Sequence, residues 1–157
     1  MTELTHSGSI VINRSPEDVY DMVADVTRTG EWSPVCEECW WDESEVEGPR
    51  IGAKFTGRNV TPVRTWETRS EVVAADRGRA FAWVVAEPPT RATWSYAFEP
   101  DGDGTKVTET WELPPEGVAF FEGVFGDDAP AQIATRSDGA KNGIAATLAA
   151  IKAAAEG

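Results

Sequence analysis

Residues 130–156, PAQIATRSDGAKNGIAATLAAIKAAAE, carry the pattern that decides the fold of this chain. Apolar and small side chains recur there in steps of three or four residues, which places them on one face of an α-helix. The stripe consists of Ile133, Ser137, Ala140, Ile144, Leu148, Ile151 and Ala155. Its C-terminal half is bulky and its N-terminal half is small. We therefore expect tight packing at one end of the helix and room for a cavity at the other.

The middle of the chain has a pattern typical of strands. Runs rich in Trp, Phe, Val and Thr alternate with clusters of Gly, Pro and Asp, which indicates an antiparallel meander. The predicted strands are 38–45, 53–60, 64–76, 79–87, 91–99 and 105–113. A β-branched run at 8–13 predicts one more strand before them, so that the sheet would have seven.

Two short helices are predicted between the first strand and the meander. Ser15 can cap a helix over 16–25, Pro16 suits its first position, and a second helical turn would end near Gly30. The Phe-rich segment 120–125 is predicted to be a loop before the long helix. Helices gathered on one face of an antiparallel sheet make an α+β domain, and we expect residues 1–157 to form a single one.

Composition limits the classes of partner. The 157 residues include 27 acidic and 14 basic ones, a formal charge of −13, which argues against nucleic acid or an anionic membrane as a partner. The N-terminal residues have neither a basic nor an apolar signal region, and no apolar run is long enough to span a membrane. Together with two cysteines that we expect to be reduced, these features predict a cytoplasmic protein.

Several segments of the chain carry a family resemblance. They are SPEDVY (15–20), DVTR (25–28), EWSP (31–34), GAKFTGRN (52–59), WSY (94–96), TKVTETW (105–111) and TLAAIK (147–152). In these segments and in its element order the chain resembles the START-like, or SRPBCC, superfamily, and within it the polyketide cyclase/dehydrase-like subgroup. The resemblance implies a helix-grip fold, a curved seven-stranded sheet around the C-terminal helix. It does not select one activity, because the superfamily includes binders, transporters and catalysts.

Strand alternation predicts which side chains face a pocket between sheet and helix. Glu109 falls on the inward face of the last strand, between Val107 and Trp111. A carboxyl group in an apolar cavity has a raised pKa and could act as a general acid or base. If it pairs with an arginine, or accepts hydrogen bonds from Tyr96 or an indole, its role would instead be structural.

A second set of inward side chains could bind a ligand. Asn59 could present its amide or satisfy a turn, and Arg64 could meet a ligand carboxylate or Glu109. Most of the seven tryptophans are expected in the core, with a minority forming planar walls suited to a polycyclic or polyketide-like ligand. The predicted ligand-binding residues are Asn59, Arg64, Trp66, Trp83, Trp94 and Tyr96.

Other motifs are not expected to be functional. Cys36 and Cys39 lack the further ligands that zinc needs, and they do not open a helix as a thioredoxin-type pair does. The acids between them, Glu37 and Glu38, would oppose thiolate formation. The only histidine, His6, lies near the terminus, so a Ser-His-Asp mechanism is not expected. No metal or cofactor is predicted, and residues 101–104 are interpreted as a hairpin turn.

Three functions remain compatible with the sequence. The leading one is the binding of a small hydrophobic molecule that is aromatic, polyketide-like or lipid-like. The second is a polyketide cyclase or dehydratase in which Glu109 moves a proton while Asn59, Arg64 and Tyr96 orient carbonyl groups. The third is a partner-binding domain whose cavity is filled by residues 120–125.

Overall fold

The computed structural model describes residues 2–157. Within that range the chain forms seven β-strands, three α-helices and two short 3₁₀ helices. The strands are β1 (Thr5–Ile12), β2 (Cys36–Trp41), β3 (Lys54–Thr61), β4 (Arg64–Asp76), β5 (Ala80–Glu87), β6 (Thr93–Asp101) and β7 (Gly104–Glu112). The helices are α1 (Pro16–Ala24), α2 (Pro115–Phe125) and α3 (Ala129–Glu156), with 3₁₀ helices at Val26–Glu31 and Gly126–Asp128.

The strands form one antiparallel sheet in the order β1-β7-β6-β5-β4-β3-β2. This confirms the predicted α+β helix-grip architecture, a curved seven-stranded sheet with a long C-terminal helix and two short helical segments after the first strand. The hairpin predicted at residues 101–104 is present, with Asp101 paired to Gly104 and Gly102 at φ 57°. Bulges interrupt the pairing of β2 with β3 and of β4 with β5.

The apolar stripe of α3 packs against the β1–β7 side of the sheet. All seven predicted stripe residues are buried, which confirms the interpretation of 130–156 as a core helix. Gly8 of β1 makes the close approach possible, because a Cβ atom there would lie 2.9 Å from Cγ2 of Ile144. Ser15 caps the N-terminus of α1, as the sequence predicted. Its hydroxyl accepts a hydrogen bond from the backbone amide of Asp18 at 3.2 Å.

The Phe-rich segment differs from the prediction. Residues 115–125 form α2 and not a loop. The propensity signal for this helix is weak, since Gly117 and Gly123 disfavour a helix, although Val118, Phe121 and Phe125 follow helical spacing. Packing compensates, because Phe121 is buried and stacks on Phe125 with ring centroids 5.7 Å apart. Every strand except β4 also differs from its prediction at one or both ends, by one to four residues. The largest differences are in β2, which is Cys36–Trp41 where 38–45 was predicted, and in β1, which begins at Thr5 where the prediction began at residue 8.

The core lies between the sheet and the helices. Tyr20 of α1 contacts both Phe81 and Phe98 edge-on, with ring centroids 6.1 and 5.7 Å apart. This joins the N-terminal helix to β5 and β6. Among the helices described, none is both long and apolar enough to cross a lipid bilayer.

Candidate functional site

Aromatic side chains line the face of the sheet that is turned toward the helices. Phe55, Trp83 and Tyr96 follow one another across β3, β5 and β6, with ring centroids 5.6 and 6.0 Å apart. Trp83 is paired with Trp94 on the next strand. Trp83 and Trp94 pack against the core and remain partly exposed. Trp66 is also partly exposed, and its ring lies 6.0 Å from Arg136 of α3. Part of each indole is therefore in contact with solvent.

Glu109 lies on β7, opposite Tyr96 of this aromatic face, and its side chain is 3% exposed. Its Oε2 accepts a hydrogen bond of 2.9 Å from the hydroxyl of Tyr96, the residue directly opposite on β6. Its Oε1 is buried and has no hydrogen-bond partner in the described part of the chain. Of the three structural partners that the sequence suggested, Tyr96 is therefore present, whereas neither an arginine nor an indole among residues 2–157 bonds to this carboxylate.

The electrostatics of Glu109 follow from this environment. Burial raises the pKa of its carboxyl group to about 8, and the hydrogen bond from Tyr96 offsets only part of that rise. Burial also raises the pKa of the Tyr96 hydroxyl, and the neighbouring Glu109 carboxyl adds to the effect. With this pKa the carboxyl group is mostly protonated near neutral pH, and only a minor ionised fraction could accept a proton.

Asn59 is engaged within the sheet. Its side-chain amide donates to the hydroxyl of Thr68 at 3.2 Å and approaches the carbonyl oxygen of Trp66 at 3.5 Å. The structure therefore places Asn59 on the inward side but with its donors directed to β4. A ligand would have access mainly to the acceptor oxygen of the amide.

Arg64 is exposed and does not reach Glu109. Its guanidinium lies over the ring of Trp66, 4.5 Å from the centroid, and Arg136 of α3 lies 6.0 Å from the same centroid. Neither arginine forms an ion pair with any residue in the range 2–157. Burial and the charge of Arg64 lower the pKa of Arg136. Sequence reasoning missed Arg136, whose only signal was its position next to Ser137 on the edge of the buried stripe.

His6 belongs to strand β1 and links it to α3. Its Nε2 lies 2.7 Å from the hydroxyl of Ser137, and that hydroxyl donates to the carbonyl oxygen of Glu3 at 2.6 Å. Because the serine proton is directed to the carbonyl, Nε2 must be the donor to Ser137. A nucleophilic serine needs the opposite direction, with histidine accepting its proton. The group therefore anchors β1 to the helix.

Helix α2 occupies part of the space beside α3. Phe121 is 2% exposed, whereas Phe120 and Phe125 are only partly buried against the core. Arg136 lies over the ring of Phe121 at 5.6 Å. The segment predicted as a possible plug thus supplies one fully buried ring and two that stay accessible.

Sequence comparison identifies the family. The family model described as polyketide cyclase/dehydrase and lipid transport matches residues 2–156. The chain belongs to this family. No curated protein shows significant similarity to the chain.

Solved structures of several proteins resemble this polyketide cyclase/dehydrase family member. A polyketide cyclase-like protein from Corynebacterium glutamicum is 52% identical over 98% of this chain and 91% of its own, with a TM-score of 0.69. The di-domain ARO/CYC StfQ from the steffimycin biosynthetic pathway is 18% identical over 98% of this chain and 50% of its own, with a TM-score of 0.70. Protein Ms6760 from Mycobacterium smegmatis is 17% identical over 96% and 92%, with a TM-score of 0.59. The last two likenesses concern the fold alone.

Two open grooves lie on the outer side of the sheet of this family member. Their volumes are about 370 and 310 Å³, and Asp42, Arg69 and Glu87 line both. Arg69 is held there by Asp42 at 3.3 Å and by Glu87 at 3.6 Å. The polar lining is typical of a solvated face of the sheet. Paired charges at an open surface offer little to an apolar ligand.

Proposed function

We propose that the chain binds a small hydrophobic molecule, aromatic, polyketide-like or lipid-like, between the inward face of the sheet and the N-terminal half of α3. The observation that carries this proposal is the partial exposure of Trp66, Trp83 and Trp94 on that face. Planar apolar walls with a few polar groups suit such a ligand. The description of the family, which joins cyclases with lipid transport, supports the same class of ligand.

The proposed contacts divide into an apolar wall and polar ends. Trp66, Trp83 and Trp94 would stack on the body of the ligand. Tyr96 lies beside them through its contact with Trp83, and Asn59 would offer its amide oxygen. Arg64, together with Arg136, would meet a polar or anionic group near Trp66.

The first test is titration with phenylnaphthylamine, an uncharged fluorophore whose emission rises in apolar sites. We expect the unmodified protein to bind it, and Trp83→Leu and Trp94→Leu to raise Kd roughly three- to tenfold, because each removes a stacking contact. Trp40→Leu is the matched control, since Trp40 lies beneath Arg58 and lines one outer groove. Loss of binding in Trp40→Leu alone would place the ligand outside. No binding at all would favour a filled core that docks a protein partner.

The second test examines the polar end of the proposed site. Anilinonaphthalene sulfonate adds one negative charge to the same aromatic body. We expect Arg136→Gln and Arg64→Gln to weaken its binding roughly two- to fivefold, and to leave phenylnaphthylamine binding unchanged, because only a charge interaction is lost. Arg79→Gln, an exposed arginine on another strand boundary, serves as the control. Equal effects on both fluorophores would contradict an anion-binding role for the two arginines.

A second candidate function is catalysis of cyclisation or dehydration on a poly-β-keto substrate. Two features of Glu109 favour it, the unpartnered Oε1 atom and a pKa of about 8. A carboxyl group of this kind could take a proton from a carbon next to a carbonyl and return it to a departing hydroxyl. Tyr96, Asn59 and Arg64 would orient the carbonyl groups.

A further inference from the structure

Cys36 and Cys39 lie on the same side of strand β2, which their spacing alone would not produce. Residues three apart in a regular strand point to opposite faces of the sheet. The register here shifts between Cys36 and Glu38, so that Cys36 is opposite Asn59 while Cys39 is opposite Gly57. This bulge turns the first thiol toward the second. The two sulfur atoms are 3.0 Å apart.

Gly57 on the neighbouring strand leaves the space that both sulfurs occupy. A Cβ atom at this position would lie 3.2 Å from the sulfur of Cys39 and 3.3 Å from that of Cys36. Such distances are shorter than ordinary van der Waals contacts between carbon and sulfur. A residue without a side chain opposite the bulge thus allows the two thiols to meet.

The two thiols are not equivalent. Cys36 is partly exposed, whereas Cys39 is 7% exposed. The two thiols share a hydrogen bond, which lowers the pKa of Cys36 and raises that of Cys39. Glu37 acts against the Cys36 thiolate, as its charge predicts, but more weakly than this hydrogen bond. The expected opposition of an intervening acid is therefore present, but the hydrogen bond between the thiols outweighs it and the pKa of Cys36 is lowered.

We propose that Cys36 and Cys39 are a redox-active pair that closes into an intramolecular disulfide on reaction with a hydroperoxide. The sulfur of Cys36 attacks a peroxide oxygen, the O–O bond breaks, and the leaving oxygen departs as water or an alcohol, which gives a sulfenic acid at Cys36. The sulfur of Cys39 then attacks that of Cys36. The S–S bond forms, and hydroxide leaves with the proton of Cys39 as water. Two thiols are oxidised by two electrons, and one hydroperoxide is reduced.

The test uses reduced, full-length protein and a small excess of hydrogen peroxide, followed by alkylation and intact-mass measurement. We expect a species lighter by two hydrogen atoms that no longer takes up alkylating agent. Thiol loss should be at least about tenfold faster in the folded protein than in the same protein unfolded in urea, because the fold supplies both the contact and the shifted pKa.

Single variants separate the two roles. In Cys39→Ser the sulfenic acid at Cys36 should persist and be trapped by dimedone, since no resolving thiol is present. In Cys36→Ser the remaining buried thiol should react much more slowly. Two alkylatable cysteines after peroxide treatment, oxidation only between molecules, or equal rates in folded and unfolded protein would each overturn the proposal. A folded-state check by circular dichroism of each variant excludes loss of structure as the cause.

Discussion

Replacing Phe81 by alanine is expected to lower the free energy of unfolding by about 3–5 kcal/mol, the range for deleting a fully buried aromatic side chain. Phe81 is 0% exposed in the middle of the core. Its ring contacts Tyr20 of α1 edge-on and Trp83 of the same strand, with centroids 6.1 and 5.8 Å apart. Truncation therefore leaves a cavity between the sheet and α1. Urea denaturation of the variant and the unmodified protein measures the loss.

Phe125→Ala is the matched control, because it makes the same chemical change at a partly buried site. Phe125 stacks only on Phe121 at the end of α2, so the expected loss is clearly smaller than for Phe81. Equal losses in the two variants would mean that α2 contributes to the core as much as the sheet does. Such a result would favour the filled-core, partner-binding function over the ligand cavity.

Glu109 is expected to make stability fall as pH rises between about 5 and 8. In the unfolded chain this carboxyl group ionises near its ordinary value of 4.5, whereas in the folded protein it keeps its proton until about pH 8. Across that interval the folded state binds more protons, so stability decreases with pH. The loss specific to this residue amounts to roughly 3 kcal/mol between pH 5 and 8. The Glu109→Gln variant cannot ionise at this position and should not show this pH-dependent loss of stability.

The measurement compares urea denaturation at several pH values for the unmodified protein, Glu109→Gln and Glu99→Gln. Glu99 is exposed on β6, so its variant should follow the pH profile of the unmodified protein. The prediction is contradicted if the curves for Glu109→Gln and the unmodified protein run parallel from pH 5 to 8. Parallel curves would mean that Glu109 is ionised when folded.

The same Glu109→Gln variant separates binding from catalysis. If the protein only holds its ligand, fluorophore binding and any turnover of a poly-β-ketone mimic should be unaffected. If Glu109 moves a proton during cyclisation, turnover should fall while binding persists, because the amide preserves shape but cannot exchange the proton. Loss of both binding and stability would leave Glu109 a structural role only.

Much of the fold could be predicted because periodicity reports the buried face directly. The stripe of α3 and the bounds of β4, Arg64–Asp76, agree with the sequence-based assignments. Helix α2 was not predicted, because its glycines disfavour a helix even though Val118, Phe121 and Phe125 follow helical spacing, and the burial of Phe121 stabilises it. Local propensity describes the isolated segment, whereas this helix forms through contacts with α3.

The candidate site was predictable to the extent that it depends on alternation along a strand. Glu109 was placed on the inward face, and its pairing with Tyr96 follows from the register of β6 and β7. Arg64 shows the limit of this method. Alternation along a strand predicts the face of the sheet on which a side chain lies, but not how deeply the end of that side chain is buried. The contact of Cys36 with Cys39 depends on a bulge, which reverses the parity of one residue and has no clear signal in the sequence.

The position of β1 at the edge next to β7 has a consequence for biosynthesis. Strands β2 to β7 each pair with the strand made immediately before or after, so they can assemble as successive hairpins while the chain leaves the ribosome. Strand β1 is synthesised first of the seven strands and its partner β7 last. The pairing of Thr5 with Glu112 therefore joins residues that are far apart in the sequence. Closing so long a loop is entropically costly and slow compared with hairpin formation. Strand β1 therefore remains unpaired through most of translation. It pairs with β7 only after β7 has been synthesised, and α3, which follows β7 in the chain, then packs over it.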